Sequence, residues 1–347
     1  MREIGSEFSA EFLKSTEVKK RLFISKIDKG EFVFSGRTAI ETVLMNESSI
    51  HKALLPSYCC DSMIEPFRKS GIEVEFYTVN YTESITIDLN VESDVDCVLW
   101  CNYFGFNISM PDLNAFIDRG GIVIEDITHS LYSKKQFHEQ SQYLVASLRK
   151  WEPLLCGGYC SARGKRLINI PHERPTEWFL RKKKEAMLLK NKYIAGENNI
   201  SKPEFLQMYK AANEWLSDNY SNLAIDEYSK TYLRCVDYEN HRKRRIENAI
   251  VLYNGLKKHS DIEFLFDIYD MDCPLFVPII IKNGKRDELR KKLIANEIYC
   301  PVHWPHPNAE CDSNLYDIEL SLICDHRYNE TDMQRIINVL CENNGEE

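Results

Sequence analysis

From residue 31 onward, short apolar runs alternate with amphipathic stretches. Glu31–Phe34, Ala53–Pro56, Val74–Val79, Val95–Cys101, Ile122–Glu125, Leu144–Ser147 and Gly158–Ser161 read as strands. The spacing predicts helices over Arg37–Met45, Asp61–Lys69 and Pro111–Asp118, the last with proline in its first turn. Strands alternating with helices imply parallel crossover units, hence an α/β fold with a mainly parallel, doubly wound sheet.

Between Thr176 and about Tyr253 the strand signal almost vanishes, and Leu180–Ile194, Pro203–Ser217 and Asn240–Leu256 read as helices. Beyond them, Phe264–Phe266, Leu275–Ile281 and Tyr299–Val302 read as strands, and Lys285–Ala295 and Glu330–Cys341 as helices. This predicts an N-terminal segment over 1–30 with a helix at Ser9–Arg21, a large domain over 31–240 and a smaller α+β domain over 241–347. The basic runs Arg181–Lys184 and Arg242–Arg245 fall inside predicted helices and read as solvated faces.

Composition narrows the class. Hydrophobic residues make up 44% and charged residues 28%, a globular balance. The net charge of −9 argues against a dedicated nucleic-acid binder. The longest uncharged apolar run, Cys273 to Ile281, is too short to cross a bilayer, so no membrane partner is expected. The opening residues lack the layout of a secretory signal, and the twelve cysteines lack Cys-x-x-Cys spacing. Reduced, mostly buried thiols in a cytoplasmic protein are the expectation, with no metal site. His51, His138, His172, His241 and His259 show no ligand spacing.

In a doubly wound sheet ligands bind beyond the carboxyl ends of the strands. Neither a dinucleotide fingerprint nor a P-loop motif is present. Three strand ends carry chemistry instead. Ser35-Gly36-Arg37-Thr38-Ala39 sits where a helix opens, either as an anion cradle of free amides or as a plain cap. Glu125-Asp126-Ile127-Thr128-His129 ends a strand expected to be buried, where a carboxylate is costly without a cationic partner. Ser147-Leu148-Arg149-Lys150, before Gly157-Gly158, places an amine where it can attack a carbonyl. In this order the three are what pyridoxal 5'-phosphate requires: an anion site, an acid for the pyridine nitrogen and a lysine for a Schiff base.

With Leu55-Pro-Ser-Tyr58, Asn102-Tyr-Phe-Gly105 and the motifs above, residues 30 to 340 resemble the fold-type I pyridoxal phosphate enzymes of the sugar aminotransferase, or DegT, group. The resemblance implies Lys150 as the Schiff-base lysine and proton shuttle, and Asp126 as partner of the pyridinium. It implies His129 near the ring hydroxyl, and phosphate contacts from Arg37, Thr38, Ala39 and Ser147. Cys60 stands where the group stacks an aromatic ring on the cofactor, and Tyr58 is the substitute. In Tyr299-Cys-Pro-Val-His303-Trp304-Pro305 a similar stretch approaches the active site, so His303 and Trp304 become substrate contacts or packing residues. Arg327 is a candidate for the donor carboxylate. The resemblance further implies an amino-acid donor, glutamate, a keto acceptor on a nucleotide-linked sugar, and a homodimer with contacts crossing from the partner, Asn222–Tyr228 among the candidate segments. Retention of Lys150 argues against the dehydratase branch. Another reaction on a small amino or keto substrate, or a low-turnover binding protein, are the alternatives.

Overall fold

The structure, a computed structural model, describes residues 3–10, 30–135 and 137–342. Nearly all of the predicted Ser9–Arg21 helix lies outside the described residues. Among the described residues no helix is long and apolar enough to cross a membrane. All twelve thiols are free and most are buried.

The chain opens with a two-residue strand, β1 (Ile4–Gly5), and then β2 (Glu31–Val33), α1 (Gly36–Asn46), β3 (Lys52–Pro56), α2 (Asp61–Lys69), β4 (Glu73–Tyr81), β5 (Ile85–Asp88), β6 (Cys97–Cys101), α3 (Asn114–Asp118), β7 (Ile122–Asp126), β8 (Tyr143–Ser147) and β9 (Gly158–Ala162). Strands β2 to β9 form one eight-stranded sheet in the order β2-β9-β8-β7-β6-β3-β4-β5. The five central strands, β8, β7, β6, β3 and β4, run parallel. The sheet is mainly parallel, as expected, with antiparallel margins: β9 is antiparallel to both β8 and β2, and β5 returns antiparallel on β4. β6 and β7 are buried at every position, the signature of central parallel strands covered on both faces. The predicted helix at Pro111 starts at Asn114.

Four helices follow: α4 (Glu177–Ile194), α5 (Lys202–Asp218), α6 (Glu227–Cys235) and α7 (Tyr238–Leu256). The sequence pattern missed the short α6. A second sheet of order β10-β11-β13 comprises β10 (Glu263–Phe264), β11 (Val277–Ile280) and β13 (Glu319–Leu322). Around it lie α8 (Arg286–Ala295), β12 (Ile298–Tyr299), the short α9 (Leu315–Ile318) and α10 (Glu330–Cys341). Ala249, Leu252 and Leu256 of α7 join Ile279, Leu320, Leu322, Met333 and Ile336 in its core. The expected strand at Tyr299–Val302 is shorter and begins one residue earlier, because β12 pairs only with β1. β13 went unread because Glu-Leu-Ser-Leu mimics a half-exposed alternation, yet all four residues are buried.

The basic runs are not purely solvated faces. Lys183 of α4 and Arg245 of α7 are 3% and 1% exposed. The former pairs with Glu7 at 3.3 Å, and the latter lies over the Trp151 ring at 4.5 Å.

Candidate active site

The carboxyl ends of β7 and β8 and the start of α1 enclose a cavity of about 250 Å³. Gly36, Arg37, Cys60, Asp126, His129, Ser147, Lys150 and Trp304 all line it. Three strand-end motifs that are remote in sequence therefore share one space, as crossover topology demands.

Asp126 is the last residue of β7. Its Oδ1 accepts the Thr128 amide at 2.8 Å, and among the described residues it forms no ion pair. Burial pushes its carboxyl above the ordinary range, with Thr128 acting in the other direction. Thr128 also ties the neighbouring motif in place. Its Oγ1 accepts the Ser147 amide at 2.9 Å, and its carbonyl accepts the Trp151 indole N–H at 2.6 Å. Lys150 follows in a short turn after β8, with Nζ 3.3 Å from His129 Nε2 and 5.6 Å from the centroid of Trp304.

His129 is fully enclosed. Its Nδ1 accepts the Phe104 amide at 3.2 Å, so the neutral ring carries its proton on Nε2, toward Lys150. Burial, then Lys150 and His303, hold its pKa well below the usual imidazole value. Phe104 reaches this position with φ of 57°, a left-handed conformation that a bulky residue adopts only when its surroundings impose it. The following Gly105, at φ 84°, passes so close to the Cys273 carbonyl that a Cβ would sit 1.8 Å from its oxygen.

The anion cradle differs in detail from the expectation. Ser35 caps α1 and accepts the Thr38 amide. Thr38 Oγ1 donates to the Tyr220 carbonyl at 2.8 Å, and the Ala39 amide bonds the Ser35 carbonyl at 2.9 Å. Thr38 and Ala39 are thus engaged behind the first turn and do not line the cavity. Gly36 and the expected Arg37 line it instead, with first-turn amides that the helix itself leaves unbonded. A Cβ on Gly36 would stand 3.1 Å from Ser147 Cβ, so the cradle closes directly on the β8 end. The Arg37 guanidinium pairs with Glu65 at 2.8 Å. Gly158 passes the same turn, where a Cβ would lie 2.0 Å from the Ser35 carbonyl oxygen. Gly158→Ala should therefore lose about 1–3 kcal/mol or more of stability in denaturant unfolding, because the obstacle is backbone.

Cys60 lines the cavity beside Ser62, its Sγ 2.9 Å from Ser62 Oγ. Tyr58 does not replace the missing aromatic ring. It is fully buried behind Trp304, with ring centroids 5.0 Å apart. Trp304 forms the aromatic wall itself, stacked on His129 at 5.4 Å and 25°. His303 is held by a triad invisible to the sequence pattern. Its amide donates to Glu319 Oε2 at 2.7 Å, its Nδ1 lies 2.7 Å from Ser321 Oγ, and Ser321 in turn bonds Glu319. Burial pushes Glu319 up to about 8.

A second cavity of about 390 Å³ adjoins the first and shares Glu7, Arg149 and Lys150 with it. His303, Arg245, Phe276 and Arg327 complete much of its wall. Arg327 is already engaged: its Nε and Nη2 bond Asp325 at 2.9 and 2.7 Å, and Phe8 covers its guanidinium at 4.1 Å. Arg245 is not. Its Nη1 donates to the Leu275 carbonyl at 3.0 Å, while among the described residues Nε and Nη2 are buried without a hydrogen-bond partner, as is Arg149 Nε.

Glu7 also escaped the sequence reading. It lies on a strap, Glu3–Ala10, held by Glu3 to Lys190 and Lys202 at 2.8 and 2.7 Å. Burial pushes Glu7 up, but Lys183, Asn213 and Arg149 outweigh that and hold it down at about 2. In the segment Asn222–Tyr228 the Leu223 carbonyl accepts the Phe34 amide and Ala224 bridges Val33.

The fold defined here is that of the fold-type I pyridoxal phosphate aminotransferases. No family model matches the chain, and no curated protein matches it in sequence. Solved structures do. DesV of S. venezuelae, determined in complex with a ketimine intermediate, superposes with a TM-score of 0.67 at 16% identity, covering 92% of this chain and 86% of that one. DesI, determined in the presence of its TDP-sugar product, gives 0.63 at 12% identity, covering 96% and 85%. A putative sugar aminotransferase of Streptococcus pneumoniae, Spr1654 in its PLP form, gives 0.62 at 13%, covering 96% and 92%. The fold is thus shared with DegT-type sugar aminotransferases, as the motifs implied.

Proposed function

We propose that the protein is a pyridoxal phosphate-dependent aminotransferase that moves an amino group from an amino acid, glutamate, to a keto group on a nucleotide-linked sugar. The observation that supports it is the meeting of Lys150, the buried and unpaired Asp126 and the Gly36–Ser147 cradle in one cavity. These residues fit the cofactor: an anion cradle, a buried carboxylate without a direct ion-pair partner among the described residues and an amine are the three groups it needs. When bound, it supplies an aldehyde that takes up an amine and a ring that accepts carbanion charge.

The side chains divide the remaining work. Asp126 would hold a proton on the ring nitrogen, which would give it a direct cationic partner beyond the more distant charge of Lys150. Gly36, Arg37 and Ser147 seat the phosphate. Lys150 would carry the proton between the amine-bearing substrate carbon and the cofactor's aldehyde carbon, which lie on either side of the amine nitrogen. His129 presents Nε2–H at the lysine end, and Trp304 walls off water. The acceptor class is supported by DesI and its TDP-sugar product. A C₂ homodimer belongs to the same reading, and light scattering on the purified protein tests it.

In the second cavity the uncommitted donors of Arg245 and Arg149, rather than Arg327, suit the donor carboxylate. Arg245→Met should raise KM for glutamate about 10–100-fold, the equivalent of one to two charged hydrogen bonds, with the acceptor half-reaction little changed. The proposal as a whole is tested by absorbance. Glutamate should bleach the cofactor band of the purified protein and a keto sugar should restore it. Bleaching that no keto acceptor reverses would move the reading to another reaction on amino acids, and a colourless protein that takes up no cofactor would contradict it.

A further inference from the structure

We propose that Glu152, His241 and His326 form a binding site for a divalent first-row metal ion of the zinc class, separate from the cofactor cavity and independent of the function proposed above. The three come from distant segments: the turn just after Lys150, the first turn of α7, and the turn between β13 and α10. One ligand atom from each lies within 4.8 Å of the other two. Glu152 is fully buried, the His326 side chain is 4% exposed and that of His241 is 17% exposed. Two imidazoles and a carboxylate are a donor set that zinc and its neighbours favour.

An ordinary ion pair accounts for only half of the cluster. Glu152 Oε1 lies 2.9 Å from His241 Nδ1, but His326 Nε2 stands 4.0 Å from Glu152 Oε2, beyond hydrogen-bond reach. Among the described residues both ring nitrogens of His326 are buried without a hydrogen-bond partner. Such orphaned groups are rare in proteins and call for a ligand, a water or an ion. Bonds of about 2.0–2.2 Å to a tetrahedral ion put its ligands roughly 3.3 Å apart, between the two separations seen here. The imidazoles are stacked, with centroids 3.7 Å apart and planes at 2°, so coordination requires their edges to tilt until each lone pair meets the ion. Outer contacts are already in place. The hydroxyls of Tyr132 and Tyr232 donate to the two oxygens of Glu152 and orient it as second-sphere partners orient a ligating carboxylate. Arg245 and Asp325 lie near His326 with opposite charges, so neither sign dominates the surroundings. An ion here pins the Lys150 turn to α7 and to the small sheet, a cross-link among segments that spacing along the chain could not reveal.

Titration of the full-length, cofactor-loaded protein with Zn²⁺ should show one saturable site per chain, confirmed by elemental analysis after gel filtration. Chelation should lower the melting temperature. His326→Gln should weaken Zn²⁺ binding by more than the roughly 10–100-fold that loss of an outer partner costs, with circular dichroism and cofactor absorbance unchanged. If that variant fails to fold, Glu152→Gln serves, because it retains the shape of the side chain. The absence of a saturable site in the wild type, or a site whose affinity is unchanged in the variant, overturns the proposal.

Discussion

Replacing Lys150 by alanine lowers turnover by more than about 10⁴-fold. General acid–base catalysis by a placed side chain contributes roughly 10²–10⁴-fold, and this lysine also supplies the covalent attachment. The fold should tolerate the change. Lys150 is partly exposed to the cavity, where it meets His129 at 3.3 Å and the face of Trp304. Circular dichroism should therefore match the wild type while both half-reactions, followed in single turnovers, disappear. Full activity in the variant would exclude residue 150 from the chemistry.

Asp126→Asn should separate stability from catalysis. Burial raises the carboxyl of Asp126 in the folded protein, so the unfolded chain releases that proton more readily. Stability of the cofactor-free protein therefore falls as pH rises from the ordinary carboxylate range through the raised value. The full cost is present only above the raised value. Asparagine removes the charge yet can still accept the Thr128 amide. The cofactor-free variant should melt higher than wild type at pH 7, and the gap should close as the pH falls through the ordinary carboxylate range. Its kcat should fall by about 10²–10³-fold, the scale for losing one preorganised electrostatic partner. Cofactor should raise its melting temperature by less than it raises that of the wild type. A variant melting lower at neutral pH, or one with unchanged kcat, contradicts the assignment.

Elements that carry an unbroken periodicity between clear stops were legible in the sequence. The Asp61–Lys69 and Glu330–Cys341 helices fall on the residues the pattern gives, the second opened by a capping box from Asn329 and Asp332. So was the strand-end logic that brings Asp126, Ser147 and Lys150 together. What failed was reading polar residues as solvated. In α4 the buried positions are Phe179, Lys183, Ala186, Met187 and Lys190, a helical stripe with two lysines in it. In α7 the stripe runs Arg245, Asn248, Ala249, Leu252 and Leu256. Charged residues at core phase were the available signal for partners on the N-terminal strap, the buried Glu3 and the part-exposed Glu7. Glu319 and Ser321 hid in the same way, because a polar alternation looks alike whether it faces water or His303. Arg327 has a local partner that spacing did not suggest: Asp325, two residues earlier, holds its guanidinium.

The central claim is that the amine of residue 150 bonds covalently to pyridoxal phosphate. Borohydride reduction of the purified, cofactor-loaded protein, then digestion and mass analysis, reads this directly. The account predicts one phosphopyridoxyl group, on the peptide containing Lys150 and on no other. Modification at a different lysine, or at none, would contradict it.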